Sequence, residues 1–421
     1  MLVATPYPPY RTGLRALLLG IAMMAAGCTQ AERLYATVNN SPVPSFAPVV
    51  QEVMPSVVNV SAIQNPDKPA ARAAEGGVGR GEYSASLRGV PPSVLEELLR
   101  RFQDTRRRPG GSFPKMASVA LGSGFIIDPS GYIVTDDHVV ENAERVTIII
   151  QDMGEYPARI VGRDPLTDLA LLKINVPYQL SYIRWGDSDA ARIGDWVLAI
   201  GNPFGLDNTV SSGIISGRGR DIHAGPYDDF LQIDAAMNRG NSGGPTFDLN
   251  GNVIGVNTAI YSPNGGSVGI GFAIPANRAK PVVEQLKANG RVARGWLGVQ
   301  ITPVMPELVQ GLGLPNAAGA LVARVGAGSP AAMAGFEPGD IILSINGRAV
   351  ARTHDLPLTV AEMPIGETAK VTVWRRNATL TLQPKIGEMP TDLNIAELRR
   401  SKLDRRQPDG GTPAPALAST I

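Results

Sequence analysis

The chain has 421 residues, enough for two or three domains that each bury a core. Its 39 basic and 38 acidic side chains nearly cancel, which removes the usual reason to expect nucleic acid or a highly charged substrate as the main partner. With 47 Gly, 35 Pro and few long stretches of helical period, a loop-rich, mostly β protein is expected.

The first 28 residues, ending AAGC, carry Arg11 and Arg15 ahead of an apolar run from Ala16 to Ala26. That layout predicts an export signal, because the run is well short of the roughly 20 residues that span a membrane. Cys28, the only cysteine, sits where a bacterial lipobox would place it, with Ala25 where leucine is usual. Lipid attachment at Cys28 and plain cleavage both fit. An exported chain with no second cysteine must be held by ordinary packing. After a linker over 29–45, the stretch FAPVVQEVMPSVVNVSAI predicts a short amphipathic turn and an alternating strand, with Phe46 opening the folded part. Residues 64–116 are rich in Gly, Pro and Arg and hold one helix-like piece, PPSVLEELLRRFQDT. They are read as a long mobile loop. Within it Arg106–Arg108 is a solvated face rather than a nucleic-acid patch.

From ASVALGSGFII to DLALLKINV, and again from DWVLAIGNPFG to GIGFAIP, short strands recur between Gly, Asp-Pro and Asn-Gly turns. Two such series predict two β-barrels packed together. The stretch ANRAKPVVEQLKANG closes the unit as an amphipathic helix stopped at Gly290. Residues 294–386 predict a small sheet with one or two helices, and 387–421 a polar, disordered tail.

The chemistry centres on RGNSGGPTF, Arg239 to Phe247. The pattern Gly-x-Ser-x-Gly fits the nucleophile elbow of α/β-hydrolases, but an elbow is followed by a helix and its histidine comes later in the chain. Here GGPTFDLNGNVIGVNTAI reads as a β-hairpin. Of the three histidines, His138, His223 and His354, only the last lies downstream, in the third region. His138, in GYIVTDDHVVENA, stands where an apolar strand gives way to a short helical turn. A catalytic histidine requires a carboxylate on its other ring nitrogen. Asp168 opens the apolar strand DLALLKI, whereas Asp164 precedes a proline as a turn former would. Asp136 and Asp137 adjoin His138 in sequence, and on an extended backbone neighbouring side chains point apart. The order His138, Asp168, Ser242 is that of chymotrypsin.

The stretches VTDDHVV, DPLTDLALLKI, GNPFGLDNTVSSGIIS and IDAAMNRGNSGGPTFDLNGNVIGVNTAI resemble the protease domain of the HtrA (Deg) family of bacterial envelope proteases, and RGWLGV resembles the carboxylate-binding loop of a PDZ domain. The resemblance covers Phe46 to the end of the third region. It implies a chymotrypsin-like double β-barrel over 46–290, with 64–116 as its regulatory loop, followed by one PDZ domain over 294–386. It further implies a serine endopeptidase that uses no cofactor or metal and works in the periplasm, assembled as a homotrimer. Ser242 would attack the scissile carbonyl, His138 would shuttle the proton and Asp168 would orient His138. Gly240, Asn241 and Ser242 would form the oxyanion turn, with N–H donors at Gly240 and Ser242. Asn241 stands where digestive chymotrypsins have the aspartate that pairs with a freshly cut N-terminus, so zymogen cleavage is not expected. Ala236, six places before Ser242, would floor the primary specificity pocket with Ile270 as a wall, favouring small or branched apolar side chains. Arg220 resembles the family's sensor arginine, and a solvated arginine fits as well. Trp296, Leu297, Gly298 and Val299 would hold the C-terminal carboxylate of a peptide.

Three activities are compatible with these residues: degradation of misfolded or unfolded envelope proteins, chaperone-like holding of unfolded clients, and a regulatory cut in one membrane-bound partner by an enzyme anchored through its N-terminus.

Overall fold

The computed structural model describes residues 45–64, 119–201, 208–222, 224–238, 240–262, 266–311, 313–314, 317–390 and 419–420. The expected export signal with Cys28, the loop beyond Gln64, and His223 lie outside the described residues. By its contacts the chain divides after Pro48, and the fold is that of the unit from Val49 onward.

After α1 (Ala47–Val53) come β1 (Val57–Gln64), β2 (Val119–Asp128), β3 (Tyr132–Asp136), the single turn α2 (Asp137–Val140), β4 (Ala143–Ile150), β5 (Gly154–Asp164) and β6 (Leu169–Lys173). These six strands close into a barrel in the order β1-β2-β3-β6-β5-β4. Its core is β-branched and aliphatic, with Val58, Val60, Ile126, Ile133, Ile148 and Leu172 packed on one another. Such side chains suit a pleated, half-buried surface.

A second closed barrel, in the order β10-β11-β12-β9-β8-β7, is built from β7 (Trp196–Gly201), β8 (Thr209–Arg220), β9 (Phe230–Ile233), β10 (Pro245–Phe247), β11 (Val253–Ile260) and β12 (Gly271–Pro275). The predicted hairpin after Ser242 is β10 paired antiparallel with β11. Residues 216–220 continue β8 to Arg220. Helix α3 (Ala276–Asn289) ends where Gly290 takes φ +70, and it packs against β5 and β6 of one barrel and β11 and β12 of the other.

The third region holds β13 (Gly295–Trp296), β14 (Val299–Pro303), α4 (Pro306–Gly311), β15 (Ala320–Val325), α5 (Pro330–Met333), β16 (Ile341–Ile345), β17 (Arg348–Ala349), α6 (Asp355–Ala361), β18 (Val371–Arg375), β19 (Ala378–Leu382) and β20 (Gly387–Glu388). It has three helical pieces where one or two were expected. Its main sheet runs β19-β18-β16-β15-β14-β21, where β21 is Ser419–Thr420, and β13 pairs separately with β20. The stretch read as a tail therefore contributes two strands, one on each side of 391–418, which lie outside the described residues. Leu297, Val299, Ile342, Leu356, Val360 and Val373 form this region's core.

Helix α3 fits against the first barrel because Gly162 lacks a side chain. A Cβ there would stand 2.4 Å from the Gly290 carbonyl oxygen. That contact is with backbone, which cannot swing aside, so Gly162→Ala must lever the helix end away. A loss of about 1–3 kcal/mol is expected, as for other overpacked sites, read as a lower urea midpoint with an unchanged slope.

Candidate active site

Strand β3 ends at Asp136 and the chain turns into α2 one residue before His138. This junction presents the imidazole while its main chain is fixed. His138 N–H donates to Asp168 Oδ1 at 3.0 Å, and His138 Nδ1 lies 2.9 Å from Oδ2 and 3.1 Å from Oδ1. A carboxylate only accepts, so Nδ1 carries the hydrogen and the neutral ring's lone pair is on Nε2. Asp168 is 8% exposed and has φ +60, a left-handed conformation that costs a non-glycine residue on the order of 1–2 kcal/mol. Asp137 N–H donates to the Asp168 carbonyl at 3.0 Å, so the strained residue is pinned through its main chain as well.

Thr258, on β11, belongs to the site although no sequence signal singled it out. Its hydroxyl donates to Asp168 Oδ2 at 2.9 Å, and its carbonyl accepts from Ser242 Oγ at 3.3 Å. One residue of the second barrel therefore joins the acid of the first to the serine.

The turn carrying Ser242 is clamped from both barrels. On β2, Ser123 N–H donates to the Ser242 carbonyl at 2.8 Å and Ser123 Oγ donates to the Gly240 carbonyl at 2.6 Å. Gly243 N–H donates to the Asn257 carbonyl at 2.7 Å. Gly240 and Gly243 have φ +101 and +84, and a Cβ on Gly243 would stand 2.3 Å from the Ser123 carbonyl oxygen. Glycine is required there for both angle and space. Asn241 N–H is turned to the Asn238 carbonyl at 3.1 Å, so within this turn it serves the loop's own geometry.

The two acids beside His138 differ from the extended-backbone expectation. Asp137 does turn away, and Arg163 Nε donates to its Oδ1 at 2.6 Å. Burial pushes the Asp137 carboxyl above the usual range, with Arg163 pulling the other way. Asp136, fully buried, instead brings Oδ2 to 3.8 Å from His138 Nδ1. Alternation itself permits this, since positions 136 and 138 are two apart and share a face while only Asp137 is an immediate neighbour. Asp136, His138 and Asp168 form the cluster of potential metal donors found among the described residues, their atoms within 4.8 Å of one another. Within it Asp168 already accepts from the imidazole, a main-chain N–H and a hydroxyl.

Beside Ser242 the structure places neighbours other than the two expected for the specificity pocket. A cavity of about 100 Å³ beside Ser242 is lined by Met237, Asn238, Asn241, Asn257, Thr258, Ala259 and Ile260. Ala236 is exposed and Ile270 is not on its wall. Met237, one residue on, is buried, 2% exposed, with its Cε where a Cβ on Gly271 would stand. Arg220 is exposed and folds back over Gly217 of its own strand.

Contacts between the barrels and the third region run through other residues. Arg294 makes a two-pronged pair with Asp164, Nη1 to Oδ1 at 2.9 Å and Nη2 to Oδ2, and its guanidinium lies 4.8 Å from the centroid of the Tyr227 ring. Both ions are buried, at 7% and 4% exposure. Burial opposes the Arg294 charge, but Asp164 outweighs it and holds the guanidinium protonated, while burial raises the Tyr227 phenol. Asp164 is thus more than the turn former its proline suggested. Arg278 on α3 pairs with both Asp229 and Glu362, and His354 Nδ1 lies 3.7 Å from Asp221 Oδ2. Arg278, Asp229, Glu362 and Arg294 border a cavity of about 520 Å³ whose walls also include Leu166, Asp168, Tyr227 and Met363. In the loop over Trp296–Val299, Gly298 has φ +82 and a Cβ there would stand 2.2 Å from Ser329 Cβ.

A trypsin-like peptidase domain matches residues 122–256 and a PDZ domain matches residues 295–386. The chain is 45% identical over 407 residues to the probable periplasmic serine endoprotease DegP-like of Brucella suis biovar 1, covering 91% of this chain and 78% of that protein. It is 44% identical over 416 residues to the protein so named from Rhizobium meliloti, covering 95% and 80%. Among solved structures, the HtrA-type protease AlgW with tripeptide superposes with a TM-score of 0.66 at 36% identity, covering 82% of this chain and 98% of that one. With its double barrel, its His138–Asp168 pair joined through Thr258 to Ser242, and these relatives, the chain belongs to the DegP-like, HtrA-type family of periplasmic serine endoproteases.

Proposed function

We propose that this endoprotease cuts unfolded or misfolded envelope proteins with Ser242 as nucleophile, His138 as general base and then acid, and Asp168 as the group that orients His138. The supporting observation is the shared partner: Thr258 holds Asp168 by its hydroxyl and Ser242 by its carbonyl. As Ser242 Oγ attacks the scissile carbonyl, its proton passes to His138 Nε2. The imidazolium is stabilised by Asp168 on Nδ1. His138 then gives that proton to the leaving amine, and a water repeats the sequence to release the acyl group and restore Ser242. The N–H groups of Gly240 and Ser242 hold the oxyanion, each such donor being worth about 3–4 kcal/mol in the transition state. The PDZ domain captures C-terminal peptides, with the Trp296–Val299 loop at the carboxylate and an extended chain added to a sheet edge. AlgW has been solved with a tripeptide and with a decapeptide. Trimer formation, a role in stress response, a cleaved signal and lipid attachment at Cys28 complete the reading. Sedimentation of the purified chain and mass spectrometry of its mature N-terminus test the assembly and the anchor.

Three outcomes are expected. Ser242→Ala loses roughly a millionfold in casein hydrolysis, as in other serine triads. Equal turnover by the variant and the parent would remove Ser242 from the mechanism. Thr258→Val, which deletes a hydrogen bond to a charged carboxylate, lowers kcat about tenfold or more at an unchanged KM, and Thr258→Ser restores it. A rise in KM alone would make Thr258 a substrate contact instead of a positioning residue. Met237→Ala enlarges the small cavity, so the ratio of kcat/KM for Leu or Phe over Val at the cleaved position should rise about tenfold in a peptide series. An unchanged ratio with a changed one for Ala236→Val would return the pocket floor to Ala236.

A further inference from the structure

The outer side of β14 is occupied by the chain itself. Strand β21 lies antiparallel to it, with Thr420 opposite Gln300 and Ser419 opposite Ile301. Strand β14 begins at Val299, the last residue of the Trp296–Val299 loop, and its other side is taken by β15. The edge that β21 fills is therefore the one an added peptide strand would use, in the antiparallel sense expected of such peptides. We propose that the segment around Ser419 and Thr420 is a resident ligand of this chain's own PDZ edge and excludes external peptides until one displaces it. The proposal rests on the reading of this region as a peptide-binding PDZ domain.

Two further observations support occupation by the same chain. Strand β20 pairs Gly387 with Trp296 and Glu388 with Gly295, so the segment leaves the domain beside the very loop that begins the groove. About 30 residues separate Glu388 from Ser419, and at roughly 3.4 Å each they can reach far more than the width of one small domain. The stretch TPAPALASTI carries no charged side chain that an apolar groove would have to desolvate. Tethering makes such binding intramolecular, at effective concentrations in the millimolar range for short linkers, which external peptides must overcome.

The test compares three proteins in a Ser242→Ala background: the full chain, a chain ending at residue 390, and the full chain with Ser419→Pro and Thr420→Pro. Proline at both positions removes whichever main-chain donor the pairing uses. Fluorescein-labelled TPAPALASTI and an unrelated peptide ending in three apolar residues are titrated by anisotropy. The truncated and double-proline proteins should each bind both peptides about tenfold or more tightly than the full chain does, at every protein concentration. Equal affinity of all three proteins overturns the proposal. So does a difference that disappears on dilution, which would assign the strand to a second copy. If the truncated protein binds the unrelated peptide but not TPAPALASTI, the resident-ligand proposal falls and the PDZ reading stands. If it binds neither, the PDZ reading falls with it.

Discussion

The site depends on what one buried carboxylate can hold. Asp168 accepts from the main-chain N–H and from Nδ1 of His138, and from the Thr258 hydroxyl. Three donors, one of them from the other barrel, stabilise the ionised form where water is largely excluded. They also offset the strain of a left-handed aspartate, which a lone side chain on a loop would relax. The imidazole is consequently fixed in tautomer and orientation before substrate arrives. That is the state in which hydrogen bonds cost no reorganisation during the reaction.

The nucleophile turn is assembled by the opposite logic, from main chain. Ser123 on β2 grips the carbonyls of Gly240 and Ser242, and Asn257 on β11 accepts from Gly243. Neither barrel alone presents a complete site. The first supplies His138, Asp168 and one clamp, and the second supplies Ser242, the other clamp and Thr258. Packing the barrels together is thus itself the step that forms the cleft. The glycines of the turn exist because two main chains approach there more closely than any Cβ allows.

Much of this was legible in the residues. Alternating apolar runs between Gly and Asp-Pro turns foretold both barrels, because one buried face enforces a period of two. The order of His138, Asp168 and Ser242 separated this site from the hydrolase elbow by topology alone. What escaped reading has physical reasons. Thr258 acts through one hydroxyl and one carbonyl inside a strand whose pattern, VIGVNTAI, is that of any buried strand. Ala236 is exposed and Met237 buried, a difference of one residue that the apolar pattern around them does not mark. Asp136 escapes because the alternation argument holds for the immediate neighbour Asp137 and not for a residue two places from His138. Asp164 and Arg294 are 130 positions apart, and nothing local marks either as the other's partner.

That last pair ties the root of the PDZ domain to the loop that carries Asp168. Asp164 and Asp168 delimit one short loop, so the guanidinium that holds Asp164 sits at the root of the PDZ domain and at the base of the acid's own support. A buried pair of this kind gives little net stability, since removing two ions from water costs nearly what their attraction returns. Breaking it by moving one partner is different, because the other is left charged and unsolvated, at a cost of about 3–5 kcal/mol. The pair therefore tolerates only a narrow range of positions of Arg294 relative to the Asp164–Asp168 loop. Displacement of the PDZ domain at its root would have to strain that loop or expose the pair.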